Sequence, residues 1–268
     1  MIDFDSFLKE YREKLSSIFK KEYETNSDAL DRGICQESLS TILSSKPLAA
    51  FIEREHGGFG GHTGEALSML EASSYESLPL SLMMGINGAL FLQPLANYGS
   101  EEAKKEVFDR VINQGKMGGL MITEPDYGSE ALKMQTSVQF NSNEQHYVVK
   151  GTKHWAGLTG MADYWIMTAR EKNAKGELGR DVSFFVHDSR NGGIEVKEYY
   201  NNLGLYMLPY GRNKVDIKVP ETHKLTPKGT GITLMLDLLH RSRLQFPGMG
   251  MGFLRRMMDE AVKHCWSR

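Results

Sequence analysis

Met121-Ile122-Thr123-Glu124-Pro125 and Tyr127-Gly128-Ser129-Glu130 are followed, about thirty residues on, by Lys150-Gly151-Thr152-Lys153-His154-Trp155, with Ala162-Asp163 behind it. The fold of this chain turns on that stretch. Each polar turn follows an apolar run, and turns so far apart in sequence converge on one ligand only if strands bring their ends together. A strand predicted through Leu120 and Ile122 ends at the hydroxyl of Thr123, and Ser129 lies in a glycine-containing turn. Trp155 closes the strand from Lys150 to His154, where it offers either an aromatic wall or an ordinary tryptophan of a sheet core.

Outward from these turns, the chain changes character at Gly118. Before it, Phe7, Leu8, Tyr11, Leu15, Ile18 and Phe19 recur at steps of three and four, one face of an amphipathic helix. Residues 39–48, 64–74, 80–98 and 101–114 read the same way between Gly, Pro and Ser breaks. Ser100-Glu101-Glu102 reads as an N-cap with acidic residues in the first turn. After Gly118, Val138 with Phe140, Val148 with Val149, 165–168, 184–186, Ile194 with Val196, and 215–219 form short β-branched and aromatic runs. Asn141-Ser142-Asn143, Asn173-Ala174-Lys175-Gly176 and Asn191-Gly192-Gly193 are turn formers between them, which predicts a small antiparallel sandwich or barrel. Thr226-Pro227-Lys228-Gly229-Thr230-Gly231 closes that unit, and helical periodicity returns over 232–266.

The expected fold is therefore α+β: a helical domain over 1–117, a β-domain over 118–228, and over 229–268 the start of an incomplete C-terminal helical domain. In the last helix Pro247 predicts a kink or a fresh start, while Gly248 and Gly252, one turn apart, leave a smooth patch for another helix. Leu236, Leu239 and Met249 are expected to stand exposed, because no later segment covers them.

With 268 residues, 40% of them apolar, the chain can bury a full core. A formal net charge of −2 without long Lys/Arg blocks argues against nucleic acid or a polybasic membrane anchor. No apolar run is read as reaching membrane-span length, and the acidic N-terminus resembles neither a signal nor a transit peptide. Cys35 and Cys265 lie at opposite ends without a CxxC, which points to a reducing, cytoplasmic setting. Gly57-Gly58-Phe59-Gly60-Gly61 reads as an interhelical turn, since its spacing is not GxGxxG and no strand precedes it. His56, His62, His146, His154 and His223 lack metal-ligand spacing, so no metal is expected.

The order T-E-P, x-G-S-[DE], [NK]-G-x-K-x-W and A-D resembles the middle domain of acyl-CoA dehydrogenases, flavoenzymes that oxidise acyl thioesters between Cα and Cβ. Glu55-His56-Gly57-Gly58-Phe59-Gly60 is similar to the family's E-x-x-G-G-x-G loop, and Asn97-Tyr98-Gly99-Ser100-Glu101-Glu102-Ala103-Lys104 to one of its helix starts. Arg243 through Arg268 resembles the opening of its C-terminal bundle, so the likeness runs over the whole chain. It implies FAD as cofactor, acyl-CoA as substrate, and an electron-transfer flavoprotein or similar acceptor as partner. A homodimer or homotetramer is implied for the full-length protein. A flavin ring suits such a seat, because its edge needs hydrogen-bond partners and its faces need apolar packing.

By resemblance, Leu120, Met121, Ile122 and Thr123 meet the flavin edge, and Ser129 sits between flavin and the pantetheine arm. Trp155, Ala156 and Gly157 pack against the ring. Arg243 matches the arginine near the CoA nucleotide, and Arg268 the one reaching the FAD pyrophosphate of a neighbouring subunit, where a planar guanidinium pairs with phosphate oxygens. Three positions depart from the family. Gly157 lacks the hydroxyl usual there, which leaves that hydrogen bond to backbone or to Thr159. His240 replaces an acidic residue near the pantetheine, and Ser242 stands just before Arg243, where the base glutamate is found in some members. The expected function is FAD-dependent α,β-dehydrogenation of an acyl-CoA, with no catalytic residue in this chain and the base after Arg268. The alternatives are a same-fold oxidase or monooxygenase, and a non-catalytic module binding acyl-CoA or a partner, which Gly157 favours.

Overall fold

The periodicity at the start of the chain builds α1 (Phe4–Thr25), whose Tyr11, Leu15 and Phe19 are buried and whose N-cap Asp3 accepts from the N–H groups of Asp5 and Ser6. There follow α2 (Ala29–Arg32), α3 (Gln36–Leu43), α4 (Thr63–Glu76), α5 (Leu78–Asn87), α6 (Gln93–Tyr98) and α7 (Glu101–Gln114). The computed structural model describes residues 3–173, 175–226 and 230–268. The expected 228/229 junction, half of the closing turn and Ala174 lie outside the described residues. Ser100 caps α7 as expected, accepting from the Ala103 N–H at 3.1 Å. The helix expected over 39–48 stops early: α3 ends at Leu43, and Pro47–Phe51 forms a separate 3-10 turn, because a proline has no N–H to give the Leu43 carbonyl.

A π turn, Gly88–Leu92, joins α5 and α6 into one helical run, Leu78–Tyr98. That run has 21 residues and a mean hydropathy of 1.3 in its most apolar window, long and apolar enough to cross a bilayer, which corrects the expectation that no run reaches that length. Burial accounts for the composition, since 72% of the window lies inside the fold.

The strands are β1 (Gly118–Met121), β2 (Ser137–Asn141), β3 (His146–Gly157), β4 (Tyr164–Lys172), β5 (Leu178–Asp188), β6 (Ile194–Tyr199), β7 (Tyr210–Pro220) and β8 (Lys224–Leu225). They form one sheet in the order β6-β7-β3-β2-β4-β5-β8, with β1 beside β4. Pairing is antiparallel, except that β1 and β2 run parallel to β4. Along β7 the pattern is strictly alternating, with Val215, Ile217 and Val219 turned inward.

The last helix, α8 (Gly231–Trp266), continues through Pro247 without a fresh start. A Cβ added to Gly248 would lie 2.7 Å from the Leu67 carbonyl oxygen, and one on Gly252 2.1 Å from that of Glu71. The smooth patch is thus occupied by α4, which lies backbone to backbone on α8. Leu234 and Leu238 are buried, while Leu236 and Leu239 stand exposed as expected. Met249 does not: it is 2% exposed, because its Cε fills the space beside Gly85 of α5.

Candidate functional site

A buried charge pair sets the two sequence turns in register. Lys153 of β3, wholly buried, donates from Nζ to Glu124 Oε1, the Ile122 carbonyl and Thr168 Oγ1, each at 3.1 Å. Glu124 also accepts from the N–H groups of Gln135 at 2.6 Å and Thr136 at 2.9 Å, and the His154 N–H reaches the Thr123 carbonyl at 2.8 Å. Burial opposes both charges. For Glu124 it is outweighed by Lys153 and the hydrogen bonds, so the carboxyl lies below its ordinary range. For Lys153 burial prevails over the attraction of Glu124 and holds the ammonium below the usual lysine range. The glutamate of T-E-P and the lysine of G-x-K-x-W are therefore a clamp between loops.

Beyond the clamp, β3 bulges against β7 between Lys153 and Ala156, and Trp155 and Leu158 take left-handed backbone at φ 54° and 72°. For bulky side chains that conformation costs on the order of 1–3 kcal/mol each, and it persists where surrounding contacts impose it. The bulge swings Trp155 out of the sheet. It is 51% exposed, which excludes the sheet-core alternative for this residue. Its ring packs against Tyr200 with centroids 4.6 Å apart, beside His154 at 5.4 Å and Tyr210 at 6.2 Å. The Tyr200 hydroxyl lies 2.5 Å from His154 Nδ1. Burial, helped by Arg212, holds the imidazole below its ordinary range, so it is neutral near pH 7.

A cleft of about 230 Å³ opens between these turns and the helices. Leu120, Ile122, Thr123, Trp155 and Gly157 line it from the sheet side, and Leu82, Ile86, Leu90, Ser242, Gln245 and Phe246 from the helical side. Five of the residues singled out in the sequence are thus brought together. Met121 and Ala156 are buried in the core behind the turns, the Met121 carbonyl accepting from the Thr168 hydroxyl at 3.3 Å. Ser129, His240, Arg243 and Arg268 are exposed and outside the cleft lining. Thr159, the candidate replacement hydroxyl, is fully buried and occupied: it donates to the Ala156 carbonyl at 2.7 Å and accepts from Asn213 Nδ2 at 3.0 Å.

Gln245 and Tyr210 enter the site without having been singled out in the sequence. Gln245 is 4% exposed, lines the cleft and has no partner for Oε1. Ser242, Gln245 and Phe246 sit at i, i+3 and i+4 on one helix face, a spacing that marks them; nothing around Tyr210 marks that residue. No carboxylate lines the cleft among the described residues. Elsewhere Glu53, Glu55 and His56 bring ligand-type atoms within 4.8 Å of one another, a grouping the histidine spacing did not suggest, and two of the three are exposed acids.

Two domain models match the chain: acyl-CoA dehydrogenase, N-terminal domain, over residues 8–115, and acyl-CoA dehydrogenase, middle domain, over 119–216. The chain belongs to the acyl-CoA dehydrogenase family. Among acyl-CoA dehydrogenases, a glutaryl-CoA dehydrogenase of Desulfococcus multivorans is 30% identical over 223 residues, covering 81% of this chain and 56% of that enzyme. The structure of butyryl-CoA dehydrogenase from Megasphaera elsdenii superimposes with a TM-score of 0.84 at 20% identity, over 96% of this chain and 68% of that one. A glutaryl-CoA dehydrogenase in complex with glutaryl-CoA gives 0.81 at 25% identity, over 99% and 67%. The chain spans about half the length of the curated acyl-CoA dehydrogenases it matches.

Proposed function

We propose that this chain is the part of an FAD-dependent acyl-CoA dehydrogenase that seats the flavin and the thioester, with the catalytic base outside residues 1–268. The observation that carries this reading is the single cleft enclosed by the Thr123 turn, the Trp155–Gly157 turn and one face of α8, three segments distant in sequence. Its residues fit a flavin. Leu120, Ile122 and the half-exposed Trp155 offer apolar packing, and the Thr123 hydroxyl, without a protein partner among the described residues, is open to a polar edge. When bound, FAD supplies the acceptor for the hydride leaving Cβ.

The chain's own residues bind and orient. Trp155, braced by Tyr200, walls the sheet side, and Leu82 and Ile86 of α5 face it across the cleft, where they exclude water. The Ser242 hydroxyl is no substitute for a carboxylate base, and His154 is tied to Tyr200. We assign the base to a glutamate beyond Arg268, as the family likeness implies. In the whole enzyme we assign Ser129 and His240 to the pantetheine arm, Arg243 to the CoA nucleotide and Arg268 to the FAD pyrophosphate of a neighbouring subunit. To the whole enzyme we also assign a homodimer or homotetramer, with an electron-transfer flavoprotein or similar acceptor taking the electrons.

Titrating the purified chain with FAD, then with acyl-CoA thioesters and an artificial electron acceptor, tests the reading. Weak FAD binding without bleaching or turnover is expected. Turnover would place a base within the chain and overturn the mechanism. A second reading, a non-catalytic acyl-CoA-binding module, is favoured by Gly157 together with the occupied Thr159 hydroxyl. A full-length protein that stays colourless after added FAD would establish it.

A further inference from the structure

Gln245 is buried to 4% exposure on the helical side of the cleft, and its Oε1 meets no hydrogen-bond partner. The amide fits only because Gly85 has no side chain: a Cβ there would lie 2.2 Å from Oε1 and 3.0 Å from Cδ. Leu82, Ile86, Leu90 and Phe246 share this side of the lining. A carboxamide held among such groups without a partner is costly, whereas a leucine would pack there with no polar atom to desolvate. An occupant that reaches the amide removes the cost.

We infer that Gln245 selects acyl-CoA thioesters whose acyl group carries a neutral hydrogen-bonding substituent, a hydroxyl or carbonyl, over plain hydrocarbon chains of equal length. This rests on the reading of the cleft as an acyl-CoA site. A carboxamide both donates and accepts, so it serves either substituent. A carboxylate on the acyl group is disfavoured, because among the described residues no lysine or arginine lines the cleft, and His154 is engaged with Tyr200. A site built around a polar group discriminates against ligands that leave it unpaired.

The test is calorimetric titration of the chain, saturated with FAD, against acyl-CoA thioesters of one length: unsubstituted, ω-carboxylated, and a series with a hydroxyl or keto group moved along the chain. At least one hydroxy or keto member should bind roughly tenfold more tightly than the unsubstituted one, the value of a single net hydrogen bond. Gln245→Leu should abolish that preference, retain the plain chain and melt no lower than the parent. Gln245→Met gives the same readout should leucine fail to pack. The inference is overturned if no substituted member is preferred, if the ω-carboxylate binds best, if the preference survives Gln245→Leu, or if that substitution weakens FAD binding alone. Failure of every acyl-CoA to bind would instead remove the functional reading, and this inference with it.

Discussion

Replacing Lys153 by methionine keeps a long apolar stem in the core and deletes the charge that joins the two turns. The consequences follow from the contacts. All three ammonium hydrogens are used, on Glu124 Oε1, the Ile122 carbonyl and Thr168 Oγ1, and the side chain is wholly buried. Without it, Glu124, 4% exposed, keeps only the N–H groups of Gln135 and Thr136. Breaking one side of a buried pair costs about 3–5 kcal/mol, because the remaining charge is neither solvated nor neutralised. For a chain of this size that lowers the melting temperature by roughly 6–20 °C. The double variant Lys153→Met with Glu124→Gln should recover most of the loss, since no charge is then left behind. Thermal and urea unfolding of parent, single and double variants read this directly. A loss under about 1 kcal/mol, or a double variant no better than the single, would mean that the pair is hydrated in solution and that the turns are held in register by something else.

Trp155→Ala should cost about 1 kcal/mol or less, because the ring is half exposed, while FAD affinity falls; a loss of about 3–5 kcal/mol with normal flavin absorbance would make it a packing residue. Gly252→Ala places a methyl 2.1 Å from the Glu71 carbonyl oxygen, and the forced separation should cost about 1–3 kcal/mol in spite of alanine's better helix propensity. An unchanged urea midpoint would show that the α4–α8 contact is slack. Glu22 gives an acid leg to stability: burial works against its charge, but hydrogen bonds from Cys35, Ser38 and Asn26 bring the carboxyl from 4.5 down to about 2. The unfolded chain takes up that proton first, so this contribution is full above about 4.5 and is lost as the pH falls toward 2. Glu22→Gln should flatten the urea midpoint over that window, and an unaltered profile would assign the acid leg to other carboxylates.

Local signals carried much of the fold. The cap at Ser100, the apolar face of α1 and the alternation along β7 are decided within a few residues, and the structure follows them. The patch at Gly248 and Gly252 announced a close helix neighbour, although not that α4 is the neighbour. Long-range pairings left no such trace. Glu124 reads as part of a turn and Lys153 as one charge along a strand, and only folding brings them to 3.1 Å. Trp155 stayed ambiguous because a bulge, which two-residue periodicity does not register, decides the face it points to. Leu78–Tyr98 was underestimated as an apolar run because the small and polar residues that interrupt it, such as Gly85 and Asn87, are buried with the rest. Gln245 is unmarked as a single residue in the sequence, and its burial depends on the missing side chain of Gly85, a hundred and sixty residues earlier in the chain.

Because α8 rests on α4 largely through backbone at Gly248 and Gly252, with Ser74 Cβ the one side-chain atom among their nearest neighbours, there is little side chain at that joint to compress. The helix behaves as a stiff rod seated on a hard bearing. Gln245 stands seven residues along it from Gly252, roughly 10 Å, with Pro247 the one point of bending in the interval. A displacement at the bearing is passed along this short span toward the cleft. The bore of the cleft is gauged at a point outside its lining, and a single methyl group added there would alter the cleft while leaving every lining residue as it is.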